Sequence, residues 1–154
     1  MRIYLGSDHA GFELKNKIKE YLKGLGYQVS DEGAFELDQN DDYPDFIKIV
    51  AKQVASDPEA RGIIFGGSGQ GEAMVANRFA NVRAAVYYGG DLEIVALSRL
   101  HNNANVLSIG ARFVAEQEAI DAVQRWLATQ FGGEDRHIRR IYKMDNESVE
   151  RPEF

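Results

Sequence analysis

Short apolar runs rich in β-branched and aromatic residues alternate along the chain with longer segments whose apolar residues recur every three or four positions. The short runs predict strands at 3–6, 27–30, 62–65, 82–88 and 105–109. The longer segments predict helices at 12–25, from Pro44 to about 54, at 71–79, at about 92–102, around 119–127 and in the RHIRRIYKM stretch. Strands that are each followed by a helix indicate an α/β fold with an open, five-stranded parallel sheet and right-handed crossovers.

The segment after the first strand has a clear helical pattern. Its apolar residues Leu14, Ile18 and Leu22 share one face, so its lysines are expected to lie outside. Neither an internal repeat nor a linker interrupts the alternation, and 1–154 is expected to be one domain with one core. The polar end after Met144 is expected to be loose or docked on a partner.

Composition narrows the classes of function. A net charge of −6 argues against a nucleic-acid or anionic-membrane binder, whose binding surface is normally basic. The absence of cysteine excludes disulfides, thiolate metal sites and a cysteine nucleophile. The N-terminal MRIYLGSDHAG lacks the apolar run of a signal peptide, and no apolar run approaches the roughly 20 residues that span a bilayer. A cytoplasmic protein is the simplest interpretation.

Ligands of open parallel sheets bind beyond the carboxyl ends of the strands. Four polar stretches are expected to gather there: SDHAG after the first strand, GGSGQGE after the third, and HNNAN and GAR on either side of the fifth. The histidines His9, His101 and His137 all fall in or beside polar stretches of this kind.

The stretch GGSGQGE, from Gly66 to Glu72, is neither a Walker A loop nor a dinucleotide fingerprint, because the lysine and the required glycine spacing are missing. Its backbone N–H groups converge on a helix N-terminus and suit an anion or a developing oxyanion. Glu72 beside such a loop suits proton abstraction next to a carbonyl. Alternatively, the glycines only permit a tight turn and Glu72 complements the helix dipole. The helix N-terminus lowers the basicity of Glu72 whereas burial raises it, and the residues leave that balance open.

Two further stretches each have two interpretations. Asp8 and His9 can serve different parts of a ligand, or Asp8 can be the N-cap of the first helix. His101 is a plausible acid or base, although a single histidine is more often structural. Asn102 or Asn103 can equally be a helix C-cap.

RHIRR places Arg136 and Arg140 on one helical face, where they suit a phosphate that Arg112 could also bind. The alternative is a solvated basic face. A metal site is not predicted, because HExxH and cysteine clusters are absent and the histidines are dispersed. The acidic DQNDDYPD stretch lacks the EF-hand spacing and is interpreted as a loop and helix start.

Taken together, SDHAG, GGSGQGE, HNNAN, GAR and RHIRR resemble, in order and spacing, the ribose-5-phosphate isomerase B family, which includes the galactose-6-phosphate isomerase subunits. The resemblance covers nearly the whole chain. It implies a Rossmann-like three-layer α/β sandwich and a cytoplasmic enzyme of carbohydrate metabolism in the pentose phosphate pathway. It further implies an aldose–ketose isomerase that works through a cis-enediol(ate) without metal or cofactor, as a homodimer or homotetramer.

The resemblance also implies a role for the glycine loop. Glu72 matches the proton-transferring glutamate of one subgroup, whereas many other members use a cysteine at the place of Gly66. The anion hole for the enediolate corresponds to Gly67, Ser68, Gly69, Gln70 and Gly71, with Ser68 also counted as catalytic.

The remaining roles concern the sugar ring and the phosphate. His101 resembles the ring-opening acid/base, Asp8 lies near the ring oxygen or hydroxyls, and Asn102 binds substrate. The phosphate clamp corresponds to His9, Arg112, Arg136 and Arg140. Sites in this family are shared between subunits, so the His101 and RHIRR groups are expected to serve a neighbour's Glu72, and residues from about 134 to 154 to dock on a partner.

Ribose 5-phosphate and ribulose 5-phosphate are the expected substrates, and nucleic acid and membrane are not expected partners. The alternatives are an isomerase of a six-carbon sugar 6-phosphate, of the allose or galactose type, and a non-catalytic sugar-phosphate binding module.

Overall fold

The computed structural model describes residues 1–146, which form five strands, a 3₁₀ turn (His9–Gly11) and six α-helices. The strands are β1 (Arg2–Ser7), β2 (Gln28–Asp31), β3 (Arg61–Gly66), β4 (Ala84–Tyr87) and β5 (Val106–Gly110). The helices are α1 (Phe12–Gly24), α2 (Tyr43–Ser56), α3 (Gln70–Ala76), α4 (Glu93–Asn102), α5 (Glu116–Ala128) and α6 (Asp135–Asn146). The strands form one parallel sheet in the order β2-β1-β3-β5-β4, which confirms the predicted five-stranded parallel α/β fold.

The central strands are buried on both faces, which gives the protein three layers. Successive residues of a strand point to opposite faces, so Ile63 and Phe65 of β3 pack on one side and Ile64 packs on the other. Buried residues of α1, α4 and α5, including the fully buried Trp126, cover the first side. Helices α2 and α3 cover the second.

Lys15 of α1 is fully buried, so the expectation that the lysines of this helix lie outside is wrong for this residue. Its Nζ donates hydrogen bonds of 2.6 Å to Asp31 Oδ1 and 2.6 Å to the carbonyl of Ala34. Burial lowers the pKa of Lys15, although Asp31 acts in the opposite direction. Position 15 adjoins the apolar stripe of α1, and the charge is tolerated there because it is paired and hydrogen-bonded. Lys15 thereby anchors the loop that follows β2.

The HNNAN stretch lies at the amino edge of the sheet, so its expected place at the carboxyl edge is wrong. The Asn105 carbonyl accepts from the N–H of Gly62, the second residue of β3, at 2.9 Å. Its own N–H donates to the carbonyl of Arg83, just before β4, at 3.0 Å. A helix that follows a parallel strand returns to the amino edge, and α4 ends there at Asn102.

The C-terminal segment is described in part. The helix predicted in RHIRRIYKM is α6, which ends at Asn146. The expected loose or partner-docked tail falls mainly on 147–154, outside the described residues. Within 1–146, none of the helices combines the length and apolar character needed to cross a membrane.

Candidate active site

An open depression of about 480 Å³ lies at the carboxyl edge of β1 and β3. The helices that follow these neighbouring strands, α1 and α3, pack on opposite faces of the sheet, which opens a crevice between them. The depression is lined by Asp8, His9, Ala10, Tyr43, Gly67, Ser68, Gln70, Gly71, Glu72, Met74 and Arg112. SDHAG, GGSGQGE and the arginine of GAR therefore do meet here.

The loop from Gly67 to Gly69 is held rigidly between β3 and α3. Gly69 has a φ of 77°, in the left-handed region that favours glycine, and a Cβ there would lie 3.0 Å from the backbone of Ile109. The Ser108 hydroxyl donates to the carbonyl of Gly69 at 2.6 Å. The start of α3 is thus held at the depression that Gln70 and Gly71 line, which is where an oxyanion site would need its N–H groups.

Glu72 lies in the first turn of α3 and is 4% exposed. Burial raises the pKa of Glu72 above its ordinary 4.5, and the nearby Asp8 charge acts in the same direction. The backbone N–H of Glu72 lowers the pKa but is outweighed. The balance that the residues left open is therefore decided by burial, and the result is a more basic carboxylate at the edge of the glycine loop.

Asp8 is a cap, as one interpretation of the sequence predicted, but of the 3₁₀ turn rather than of α1, whose N-cap is Gly11. Asp8 Oδ1 accepts from the N–H groups of Ala10 at 3.0 Å and Gly11 at 3.3 Å, so it caps the 3₁₀ turn that precedes α1. The side chain is also buried beside the depression. The turn approaches β3 closely, since a Cβ on Gly11 would overlap the backbone of Phe65. Capping therefore holds the Asp8 carboxylate in place near Glu72.

His9 turns toward the acidic loop before α2, an arrangement that the sequence did not predict. Its Nδ1 lies 2.6 Å from Asp41 Oδ1, within hydrogen-bonding distance. Asp41 belongs to DQNDDYPD, and Tyr43 at the start of α2 also lines the depression. The alternation of apolar and polar residues gives no signal for this contact, because it depends on how the loop between β2 and α2 folds.

Arg112 is the one arginine of the predicted phosphate clamp at this depression. Its backbone N–H donates to the carbonyl of Gly67 at 3.1 Å, and a Cβ on Gly67 would lie 3.1 Å from the guanidinium. The side chain is exposed and lies beside the glycine loop.

The other predicted site residues lie away from this depression in the structure. The ring of His101 stacks on the buried ring of His137, with centroids 4.4 Å apart. Arg136 and Arg140 are exposed on α6, where Arg136 pairs with Glu134 at 2.9 Å. The left-handed C-cap of α4 is Asn103, with a φ of 46°, so the C-cap alternative does not apply to Asn102.

Asn102 lines a separate cavity of about 640 Å³ that also contacts Ser98, Ala104 and the end of α6. One chain therefore carries its candidate residues in two separate groups, one at the depression and the other around α4 and α6.

Comparison with known proteins places this arrangement in a family. Residues 3–144 match the Ribose/Galactose Isomerase family. Ribose-5-phosphate isomerase B of Mycolicibacterium paratuberculosis is 44% identical over 141 residues, which are 92% of this chain and 87% of that protein. The crystal structure of ribose-5-phosphate isomerase B from Mycoplasma genitalium with bound ribulose 5-phosphate has a TM-score of 0.89 and 42% identity, covering 93% of each chain.

The ribose 5-phosphate isomerase structure from Thermotoga maritima has a TM-score of 0.88 and 40% identity, and the match covers 95% of this chain and 98% of that chain. Likeness in sequence and in three-dimensional structure thus extends over the same residues that form the sheet and the depression. On this evidence the chain belongs to the ribose/galactose isomerase family.

Proposed function

We propose that this protein is an aldose–ketose isomerase that interconverts ribose 5-phosphate and ribulose 5-phosphate through a cis-enediolate. The observation that carries the proposal is a buried glutamate of raised pKa, Glu72, at the edge of a rigid glycine loop in a chain of this family. Binding a sugar phosphate needs no such base, whereas moving a proton between adjacent carbons does.

In the proposed reaction Glu72 removes the proton from C2 of the open-chain aldose. The electron pair of that bond forms the C1–C2 double bond, and the negative charge develops on O1, where the N–H groups of the Gly67–Gly71 loop and Ser68 stabilise it. A proton moves from O2 to O1, and Glu72 returns its proton to C1 to give the ketose. All atoms are conserved, and Glu72 ends in its starting charge state.

Ring opening and phosphate binding complete the proposed site. Asp8 lies beside Glu72 and can act on the ring oxygen or hydroxyls, and His9 and Arg112 lie at the same depression to bind phosphate. The acid/base His101, with Asn102, and the additional cations Arg136 and Arg140 come from a second copy of the chain. They lie on α4 and α6, away from the depression of their own chain.

Helix α6 has the character expected of an interface helix. Ile138 and Tyr142 are four residues apart on this helix and are 50% and 67% exposed. Apolar side chains of this size next to Arg136 and Arg140 suit docking against another subunit, which brings the arginines to its depression.

The substrate is tested by assaying the purified protein on ribose 5-phosphate and, separately, on allose 6-phosphate and galactose 6-phosphate. We expect a kcat/KM for the pentose phosphate that exceeds those for both hexose phosphates. A preference for a hexose phosphate would replace the proposed substrate with a six-carbon one. Binding of all three without turnover would instead support a non-catalytic module.

The shared site predicts complementation between two inactive variants, Glu72→Gln and His101→Ala. In a mixed dimer one site carries both substitutions and the other carries neither. Random exchange at equal amounts makes about half of the dimers mixed, so about one quarter of the wild-type activity should return. The measurement is kcat after the two variants are co-refolded.

Glu72→Gln mixed with Asp8→Ala is the control, because both residues belong to the same half-site and no intact site can form. If the two mixtures recovered the same kcat, the active site could not be shared between subunits.

A further inference from the structure

One carboxylate oxygen holds both the ring and the backbone of His9. Asp41 Oδ1 accepts from His9 Nδ1 at 2.6 Å and from the His9 backbone N–H at 3.0 Å. The side chains of His9 and Asp41 are 21% and 9% exposed. Because both bonds end on the same atom, the imidazole is fixed relative to its own backbone.

The contact also selects the tautomer of His9. An ionised carboxylate only accepts hydrogen bonds, so Nδ1 must carry the proton that it shares with Asp41. The nitrogen left for a ligand is Nε2, on a ring that lines the depression. A phosphate oxygen also only accepts hydrogen bonds, so phosphate binding uses the imidazolium form, in which Nδ1–H donates to Asp41 and Nε2–H is left to donate to the phosphate.

The fold has no evident need for a carboxylate at position 41. Asp41 Oδ2 is buried and has no hydrogen-bond partner among residues 1–146, which costs stability. The start of the loop is anchored without it, because Lys15 Nζ donates to the carbonyl of Ala34, and the local turn at Asp41 is closed by its own N–H, which donates to the carbonyl of Asp38. A buried, half-paired acid on a loop that is already anchored points to a role at the site.

We infer that Asp41 is a positioning residue that holds the Nδ1–H of His9 and fixes the orientation of the ring, so that Nε2–H of the imidazolium faces the phosphate of the substrate. This inference rests on the proposed function only in taking His9 as a phosphate ligand. Asp41 itself does not touch the substrate and acts through His9.

Asp41→Ala is expected to raise KM for ribose 5-phosphate on the order of 10-fold with kcat nearly unchanged, the scale of outer-shell contacts elsewhere. Its decisive readout is a double-mutant cycle with His9→Ala. If Asp41 acts through His9, then Asp41→Ala has no further effect on KM once the imidazole is gone.

Asp41→Asn should largely restore KM, because its amide oxygen can accept both hydrogen bonds. Asp42→Ala is the matched control, since Asp42 is the exposed neighbour and its side chain makes no capping bond.

Two measurements that do not need Asp41→Ala keep the inference testable should that variant fail to fold. Nitrogen NMR of neutral His9 should show the Nδ1–H tautomer, and the Nε2–H tautomer would overturn the inference. Calorimetry with inorganic phosphate should give a Kd near the wild-type value in Asp41→Asn, which keeps both hydrogen bonds to His9, and a Kd weaker on the order of 10-fold in His9→Ala.

Additive effects of the two substitutions on KM, or a loss of kcat at constant KM, would contradict the positioning role. The proposed function fails separately. If the wild type binds phosphate through a His9 that Asp41 holds in place, but does not isomerise any of the three sugar phosphates, the isomerase proposal is wrong while the positioning inference holds.

Discussion

Glu72→Gln is expected to lower kcat for ribose 5-phosphate by about 10²- to 10⁴-fold with little change in KM. The amide has nearly the shape of the carboxylate and keeps its place in the first turn of α3, but it cannot accept the C2 proton. The groups that bind the phosphate are left intact, so substrate affinity should persist. Steady-state kinetics on both the aldose and the ketose measure the effect.

The matched control for this variant is Glu93→Gln. Glu93 also lies in the first turn of a helix, α4, but it is exposed and pairs with Arg125. A loss of helix-dipole stabilisation alone would affect both variants in the same way. Wild-type kcat in Glu72→Gln would show that another group moves the proton and would remove the main support for the proposed mechanism.

The same variant should be more stable than the wild type at neutral pH. The pKa of Glu72 is raised in the folded protein, so between the unfolded and folded pKa values the native state binds more protons. Wild-type stability therefore falls as the pH rises through the folded pKa, whereas glutamine does not ionise. The Tm of Glu72→Gln should exceed that of the wild type at about pH 8, and the difference should shrink at about pH 4, below the unfolded value.

The fold was predictable because one physical signal dominates it. Strands buried on both faces have continuous apolar runs in the sequence, and amphipathic helices have apolar residues that repeat about every 3.6 positions. The predicted ends differ from the observed ones by a residue or two in most elements, for example at β3 and α1. The burial of Lys15 escaped prediction because the pairing groups, Asp31 and the Ala34 carbonyl, lie in another part of the sequence.

The candidate site was predictable in part. The segments that follow β1, β3 and β5 had to lie at the carboxyl edge, and they do. HNNAN precedes a strand, so the same alternation already implied the amino edge, and its composition was the misleading feature. Asp41 could not be found in this way, because its contact with His9 spans 32 positions across an irregular loop. Composition identified the candidate chemistry, and only the three-dimensional structure showed which residues meet.

The relation between Gly66 and Glu72 is a second feature that the structure explains. A Cβ built on Gly66 would overlap the Glu72 carboxylate, so the carboxylate occupies the space that any side chain at position 66 would need. The two positions therefore compete for one volume at the end of β3. Glycine at 66 is required here less for backbone freedom than to leave room for the base.

Gly66→Ala is therefore expected to lower kcat on the order of 10²-fold although Glu72 is still present. The added methyl group displaces the carboxylate, which is the end of a flexible side chain, so the fold should tolerate the change and the Tm should fall only slightly. Combining it with Glu72→Gln should lower kcat no further than Glu72→Gln alone, because both changes remove the same function.

Gly24→Ala is the control, since its Cβ would meet no atom within 4 Å at the end of α1, and its kcat should match the wild type. Undiminished kcat in Gly66→Ala would mean that Glu72 does not act from the place it occupies in this structure.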